Sequence, residues 1–140
     1  MKYIDTNIFG YAIENSDKYG KACTRILEDI ENGKLKVTSS QLTLIEMIGV
    51  IQKINSEKRR QKERELDLPK NMDALMSYPI AWQDTDLFTI KKAATYENTL
   101  FGADRIHLAT MELNDVKEII SADTDFDKVQ GIKRIDPLKY

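Results

Sequence analysis

The sequence predicts an α/β layer fold around a mostly parallel sheet. Short runs of strand-forming apolar residues alternate with longer segments of helical periodicity, an order that parallel strands joined by right-handed helical crossovers satisfy. Two of the runs, 2–5 and 118–122, place Asp5 and Asp123 at the carboxyl end of a strand, the edge where open α/β sheets hold their ligands.

The first strand is Lys2-Tyr3-Ile4-Asp5, after which Asp5-Thr6-Asn7 turns the chain toward a helix. From about 18 to 31, Ala22, Cys23, Ile26, Leu27 and Ile30 share one helical face, and Asn32-Gly33 ends it. Leu35-Lys36-Val37-Thr38 predicts a second strand. Ser39 or Ser40 is placed to cap a helix that runs to about residue 54. Residues 56–68 read as a further charged, solvated helix stopped by Pro69. A weaker strand follows Pro79 near 80–82, and a helix starts near 84–86. Another helix spans about 103–113, and strands are predicted at 118–122 and 132–135, the last closed by Pro137.

Length and composition predict a single domain, residues 1–140, because 41% hydrophobic and 31% charged residues are ordinary for a globular chain. The formal net charge of −2 gives no global attraction to nucleic acid, so a polyanionic partner needs a local basic patch or a bound cation. Cys23 is the one cysteine and His107 the one histidine, which excludes an intramolecular disulfide framework and argues against structural zinc. Cys23 is expected on an apolar helix face. The N-terminus lacks the basic-then-apolar order of a signal peptide, and no run approaches the roughly 20 apolar residues of a membrane span. A cytoplasmic protein without membrane contact is expected.

Five carboxylates follow short apolar runs or sit inside apolar helices: Asp5, Glu46, Asp104, Asp123 and Asp125. Charges in such places are costly unless paired, hydrogen-bonded or bound to metal, and one divalent-cation site gives them a common cause. Glu46 is the most telling, since Leu42, Leu44, Ile45, Met47, Ile48, Val50 and Ile51 surround it on a helix that reads as apolar all round and therefore buried.

Each acid also has an ordinary explanation. Glu46 can pair with a Lys or Arg, or share a polar stripe with Thr43, Gly49 and Gln52. Asp104 at a helix start is favoured as a cap and by the macrodipole, by roughly 0.3–1 kcal/mol. Asp5 can serve as a turn or cap, and Asp123-Thr124-Asp125 as a solvated turn. Their coincidence at strand ends and on helix faces raises the metal reading above these. His107, three residues after Asp104, is expected to pack or hydrogen-bond locally rather than to transfer protons. No Gly-x-Ser-x-Gly elbow, Gly-x-Gly-x-x-Gly run or P-loop occurs, which removes support for serine nucleophiles, dinucleotides and P-loop chemistry.

Asp5-Thr6-Asn7 after the first strand, Glu46 in the helix after the second, Asp104-Arg105-Ile106-His107-Leu108-Ala109, and Ser121-Ala122-Asp123-Thr124-Asp125-Phe126 occur in that order. The chain thereby resembles the PIN-domain nucleases over nearly its whole length, most of all the small VapC-type ribonuclease toxins of toxin–antitoxin pairs. The resemblance implies a three-layer α/β/α sandwich and an RNA cut that depends on one or two Mg²⁺ or Mn²⁺ ions. It assigns catalysis and metal binding to Asp5, Glu46, Asp104 and Asp123, with Asp125 an additional ligand or a neighbour of one. Thr6 and Asn7 match the polar pair after the first aspartate, and Ser121 stands where a threonine is common. His107 matches a position of the helix motif without thereby becoming catalytic. A cognate antitoxin and a homodimer are also implied.

The residue types suit that chemistry by themselves. Mg²⁺ prefers hard oxygen ligands and is commonly held by few carboxylates plus substrate phosphate. A metal can generate the nucleophile from water and stabilise phosphoryl oxygens, and the resemblance implies products with a 5′-phosphate and a 3′-hydroxyl. Lys53, Lys58, Arg59, Arg60, Lys62, Arg64 and Lys70 are candidate RNA-phosphate contacts, with Arg59, Arg60 and Arg64 at their centre. Glu57, Glu63, Glu65 and Asp67 dilute that patch, so a solvated face, or an interface with an antitoxin or second protomer, competes with it. Alternatives to the toxin are a housekeeping RNA-processing or DNA-directed nuclease and a non-catalytic binding module. A receiver-type phosphoacceptor fits less well, because Thr6-Asn7 rather than an acid follows Asp5 and Glu46 falls within a helix.

Overall fold

The computed structural model describes residues 1–97 and 100–140. Its strands are β1 (Lys2–Ile4), β2 (Val37–Ser40), β3 (Ala81–Gln83), β4 (Glu118–Ile120) and β5 (Lys133–Ile135). Its helices are α1 (Thr6–Glu14), α2 (Gly20–Glu31), α3 (Gln41–Arg60), α4 (Leu68–Met76), α5 (Leu87–Ala94) and α6 (Ala103–Leu113). The strands form one sheet in the order β3-β2-β1-β4-β5, and every neighbouring pair is parallel. From β1 the chain first builds outward through β2 and β3, then returns to place β4 and β5 on the other flank. That reversal opens a crevice at the carboxyl ends of β1 and β4.

Period-two alternation distributes the strand side chains to two cores. Ile4 and Ile120 pack with Ile8, Ile26, Ile30 and Met47 of the first three helices. Tyr3 and Ile119, one residue away in each strand, join Leu108, Met111 and Phe126 on the opposite side. Helices therefore cover both faces, giving the three-layer α/β/α arrangement. Cys23 is fully enclosed in the first core, as its helical face predicts.

Side-chain caps set several helix starts. Asp5 accepts from the Thr6 N–H, Ser40 from Leu42 and Asp86 from Thr89, each satisfying a donor that has no partner inside its helix. The expected helix over 56–68 is corrected. Helix α3 continues to Arg60, the chain turns at Lys62 with φ +57°, and Pro69 lies at the start of α4 rather than ending a helix. Proline tolerates the first turn because its missing N–H has no partner there, and Asp67 caps the same turn through the Lys70 N–H at 3.0 Å. Buried Asn55 donates to the Leu66 carbonyl at 2.9 Å and accepts from its N–H at 2.7 Å, tying the returning segment to α3.

Two further expectations change. Helix α3 is not buried all round: Thr43, Met47 and Ile51 face the interior, whereas Ile45 and Ile48 are 62% and 40% exposed. Asp104 is not the cap of α6, which starts from Gly102 without a side-chain hydrogen bond, so only the macrodipole reading of its helix-start position survives. Gly102 has φ +50° and ψ −121°, a conformation open to glycine and strained for other residues. Arg105 fixes the incoming loop by donating to the carbonyls of Leu100 and Tyr96, each at 2.7 Å. Gly102→Ala is therefore expected to lower stability by roughly 1–3 kcal/mol, read as a lower thermal midpoint. An unchanged midpoint would show that the turn relaxes at no cost. No helix among the described residues is long and apolar enough to cross a membrane.

Candidate metal centre

The crevice between β1 and β4 gathers carboxylates from four parts of the chain. Asp5 leaves β1 and accepts from the Thr6 N–H at 2.7 Å through Oδ1. Its Oδ2 accepts from Ser121 Oγ at 2.6 Å and from Asn7 Nδ2 at 3.2 Å. Ser121 Oγ in turn accepts from the Asp123 N–H at 3.0 Å and from Asn7 Nδ2 at 3.1 Å, while Asn7 Oδ1 accepts from the Ala122 N–H at 3.3 Å. These bonds stitch the end of β1 to the end of β4, so Asp5 and Asp123 are positioned together.

Asp104 projects from the first turn of α6, and Asp123 caps a short 3₁₀ turn, Thr124–Lys128, by accepting from the Asp125 N–H at 2.9 Å. One carboxylate oxygen from each of Asp104, Asp123 and Asp125 lies within 4.8 Å of the others. Asp125 also accepts from Lys128 Nζ at 3.0 Å. Burial, followed by the negative charges of Asp5 and Asp123, pushes Asp104 up to about 7. Burial likewise raises Asp5, with His107 and the hydrogen bonds from Ser121 and Thr6 opposing it. A divalent cation relieves the repulsion among like charges that, added to burial, keeps a proton on Asp104 near neutrality. Hard, half-buried carboxylate oxygens are also the donor set that Mg²⁺ or Mn²⁺ takes, so the residues present fit such an ion.

Glu46 reaches this crevice from α3 with its side chain 32% exposed. Its Oε1 accepts from Thr6 Oγ1 and lies 2.7 Å from His107 Nε2. Thr6 Oγ1 is also 3.2 Å from Thr43 Oγ1, which is 3.0 Å from Ser39 Oγ. Burial opposes charge on Glu46, but the hydrogen bonds from His107 and Thr6 and the charge of His107 outweigh it and hold the carboxyl below its ordinary value. The internal partners expected for this glutamate are thus a histidine and the Thr6 hydroxyl, not a Lys or Arg.

A profile of the PIN domain family matches residues 2–132. The chain belongs to the PIN domain family. This PIN domain is 29% identical over 141 residues to VapC ribonuclease Mb1869c of Mycobacterium bovis, an alignment covering 96% of the chain and 99% of the relative. The same figures hold for Ribonuclease VapC13 of Mycobacterium tuberculosis. Its fold is similar to that of a toxin–antitoxin complex from Klebsiella pneumoniae, with a TM-score of 0.63 and 21% identity over 98% of both chains. It is also similar to VapBC2 from Rickettsia felis bound to a DNA fragment from their promoter, with a TM-score of 0.64, 16% identity and coverage of 96% of this chain and 98% of that one.

Not every candidate residue of this PIN domain converges on the crevice. Asp5, Glu46, Asp104, Asp123 and Asp125 do, together with Thr6, Asn7 and Ser121. Arg59 and Arg60 lie about 20 Å farther along α3 than Glu46, at 1.5 Å per residue. Arg59 pairs with Glu65 at 2.7 Å and Arg60 with Glu57 at 2.6 Å, while Arg64 is exposed on the turn beyond the helix. Tyr3, Ser39 and Thr43 belong to the polar framework but were not among the expected site residues. Tyr3 reads in sequence as a strand core residue; its one signal was a hydroxyl that a buried tyrosine must satisfy.

Proposed function

We propose that this PIN domain is a Mg²⁺- or Mn²⁺-dependent endoribonuclease and the toxin of a toxin–antitoxin pair. The carboxylate cluster at the β1/β4 switch point carries the reading, and the similarity to VapC ribonucleases over nearly the whole chain supports RNA as the substrate. Asp5, Glu46, Asp104 and Asp123 would hold the cation, with Asp125 as a further ligand; of these, Asp104, Asp123 and Asp125 already bring one carboxylate oxygen each to within 4.8 Å of the others. When bound, the ion supplies Lewis acidity toward the phosphate and lowers the pKa of a water it holds. Asp104, pushed up to about 7 by burial and its acidic neighbours, would hold an ion in its deprotonated form. Ser121 and Asn7 keep Asp5 and Asp123 in register, and Thr6 steadies both Asp5 and Glu46. Without an ion these acids repel an RNA backbone, so substrate binding and metal occupancy are coupled.

Two surfaces fit the assembly. An apolar groove of about 410 Å³, lined by Phe9, Ile13, Met47, Ile51, Leu75 and Tyr78 and edged by Glu28 and Glu31, suits an amphipathic antitoxin segment carrying basic residues. Ile45 and Ile48 of α3, Leu87 and Phe88 of α5, and Phe101 are exposed apolar side chains of the kind a homodimer contact would cover. Arg59, Arg60 and Arg64 are assigned to RNA phosphates, because solvent-exposed ion pairs such as those of Arg59 and Arg60 are weak and yield readily to a polyanion. Replacing all three with Gln should weaken RNA binding and flatten its salt dependence while leaving metal affinity intact. Unchanged RNA affinity and salt slope would remove this helix end from the substrate path.

The function itself is tested by incubating protein freed of antitoxin with a mixed panel of RNAs and matched DNAs, with Mg²⁺ or Mn²⁺ and with EDTA. Internal cuts in RNA that disappear with EDTA are expected. Cleavage confined to DNA, or cleavage indifferent to EDTA, would contradict the reading.

A further inference from the structure

Tyr3 and His107 are enclosed, at 0% and 1% exposure, yet neither belongs to the carboxylate cluster. They come from strand and helix positions 104 residues apart and meet at 2.6 Å through Tyr3 Oη and His107 Nδ1. Their rings pack edge to face with centroids 5.6 Å apart. The second ring nitrogen, Nε2, lies 2.7 Å from Glu46 Oε1. A carboxylate oxygen at this distance accepts, so Nε2 is the donor of the pair. Tyr3 accommodates either state of the ring: its hydroxyl donates to Nδ1 of a neutral imidazole or accepts from Nδ1–H of a charged one. In either case the contact with Tyr3 aims Nε2 at Glu46.

Thr6 Oγ1 donates to the same glutamate oxygen at 2.7 Å. Two donors therefore hold the carboxylate by Oε1, which leaves Oε2 for a cation. A glutamate anchored in this way loses less rotational freedom on meeting an ion than a free one. Outer partners of metal ligands are commonly worth 10- to 100-fold in affinity through such orientation.

We infer that His107, set in place by Tyr3, is a positioning residue that presents Glu46 to the divalent cation. It rests on the reading in which Glu46 is a ligand. Tyr3 belongs to the core on the opposite side of the sheet from α1–α3, and His107 connects it to Glu46 of α3 in the crevice.

The test measures Mn²⁺ dissociation constants by the electron paramagnetic resonance of free Mn²⁺, with each variant's fold verified by circular dichroism. His107→Leu should weaken binding about 10-fold or more, Tyr3→Phe in the same direction by less, and His107→Gln, which restores a side-chain N–H, should recover most of the loss. Combining His107→Leu with Glu46→Gln should add little to Glu46→Gln alone, because both changes break one interaction. A merely structural role predicts a lower melting temperature with additive effects on Mn²⁺ binding and no recovery by glutamine. If Glu46→Gln weakens Mn²⁺ binding and His107→Leu and Tyr3→Phe do not, the positioning role is wrong while the ligand reading stands. If Glu46→Gln itself binds Mn²⁺ like the parent, the ligand reading falls and the positioning role with it.

Discussion

Asp104→Asn is expected to remain folded and to cleave RNA more than about 100-fold more slowly than the parent, a larger loss than that caused by removing an outer partner of a ligand. The amide keeps the shape of the side chain but loses the charge that offsets the cation. Asp5→Asn and Asp123→Asn should behave alike, Glu46→Gln similarly, and Asp125→Asn more mildly because Asp125 is already shared with Lys128. Near pH 8, where Asp104 is ionised, the same substitution should raise the melting temperature of the cation-free protein. It removes one of the charges whose repulsion, with burial, lifts Asp104 to about 7. Parental cleavage by folded Asp104→Asn would take this residue out of the metal site.

The second large effect is a cation-dependent gain in stability that grows with pH. The Asp104 carboxyl titrates at about 7 in the folded chain against an ordinary value of 3.8. Between those values the folded state holds a proton that the unfolded state lacks, so this group's contribution to stability falls as pH rises through the window and levels off above it. A divalent ion competes with that proton. Mg²⁺ or Mn²⁺ should therefore raise the melting temperature little near pH 5 and most near pH 8, and Asp5→Asn should shrink the gain. Thermal unfolding across pH, with and without Mg²⁺, makes the comparison. An equal shift at every pH, or in both proteins, would locate the ion elsewhere.

The acids that define the crevice were legible because their context is local. Asp5 and Asp123 end apolar strand runs, and Asp104 opens a helix. Glu46 stood out from its apolar neighbours, although the reason was only half right, since the helix that carries it buries one face and leaves Ile45 and Ile48 open. What local pattern did not show were contacts between distant segments. His107 was expected to pack or bond within its surroundings, and it does, but its partners are Tyr3 and Glu46, brought to it by the parallel pairing of β1 with β4 and by α3. The same limit explains Pro69. A proline is compatible with the end of one helix or the first turn of the next, and the deciding contact is Asn55 with Leu66 across the turn.

Cation-assisted hydrolysis at this cluster is tested most directly by the chemistry of the RNA ends it leaves. Products carrying a 5′-phosphate and a 3′-hydroxyl, formed with Mg²⁺ or Mn²⁺ and lost in the Asp104→Asn protein, are the predicted result. Products ending in a 2′,3′-cyclic phosphate, formed equally in EDTA, would mean that the RNA's own 2′-hydroxyl is the nucleophile and that the carboxylates do not act through a metal.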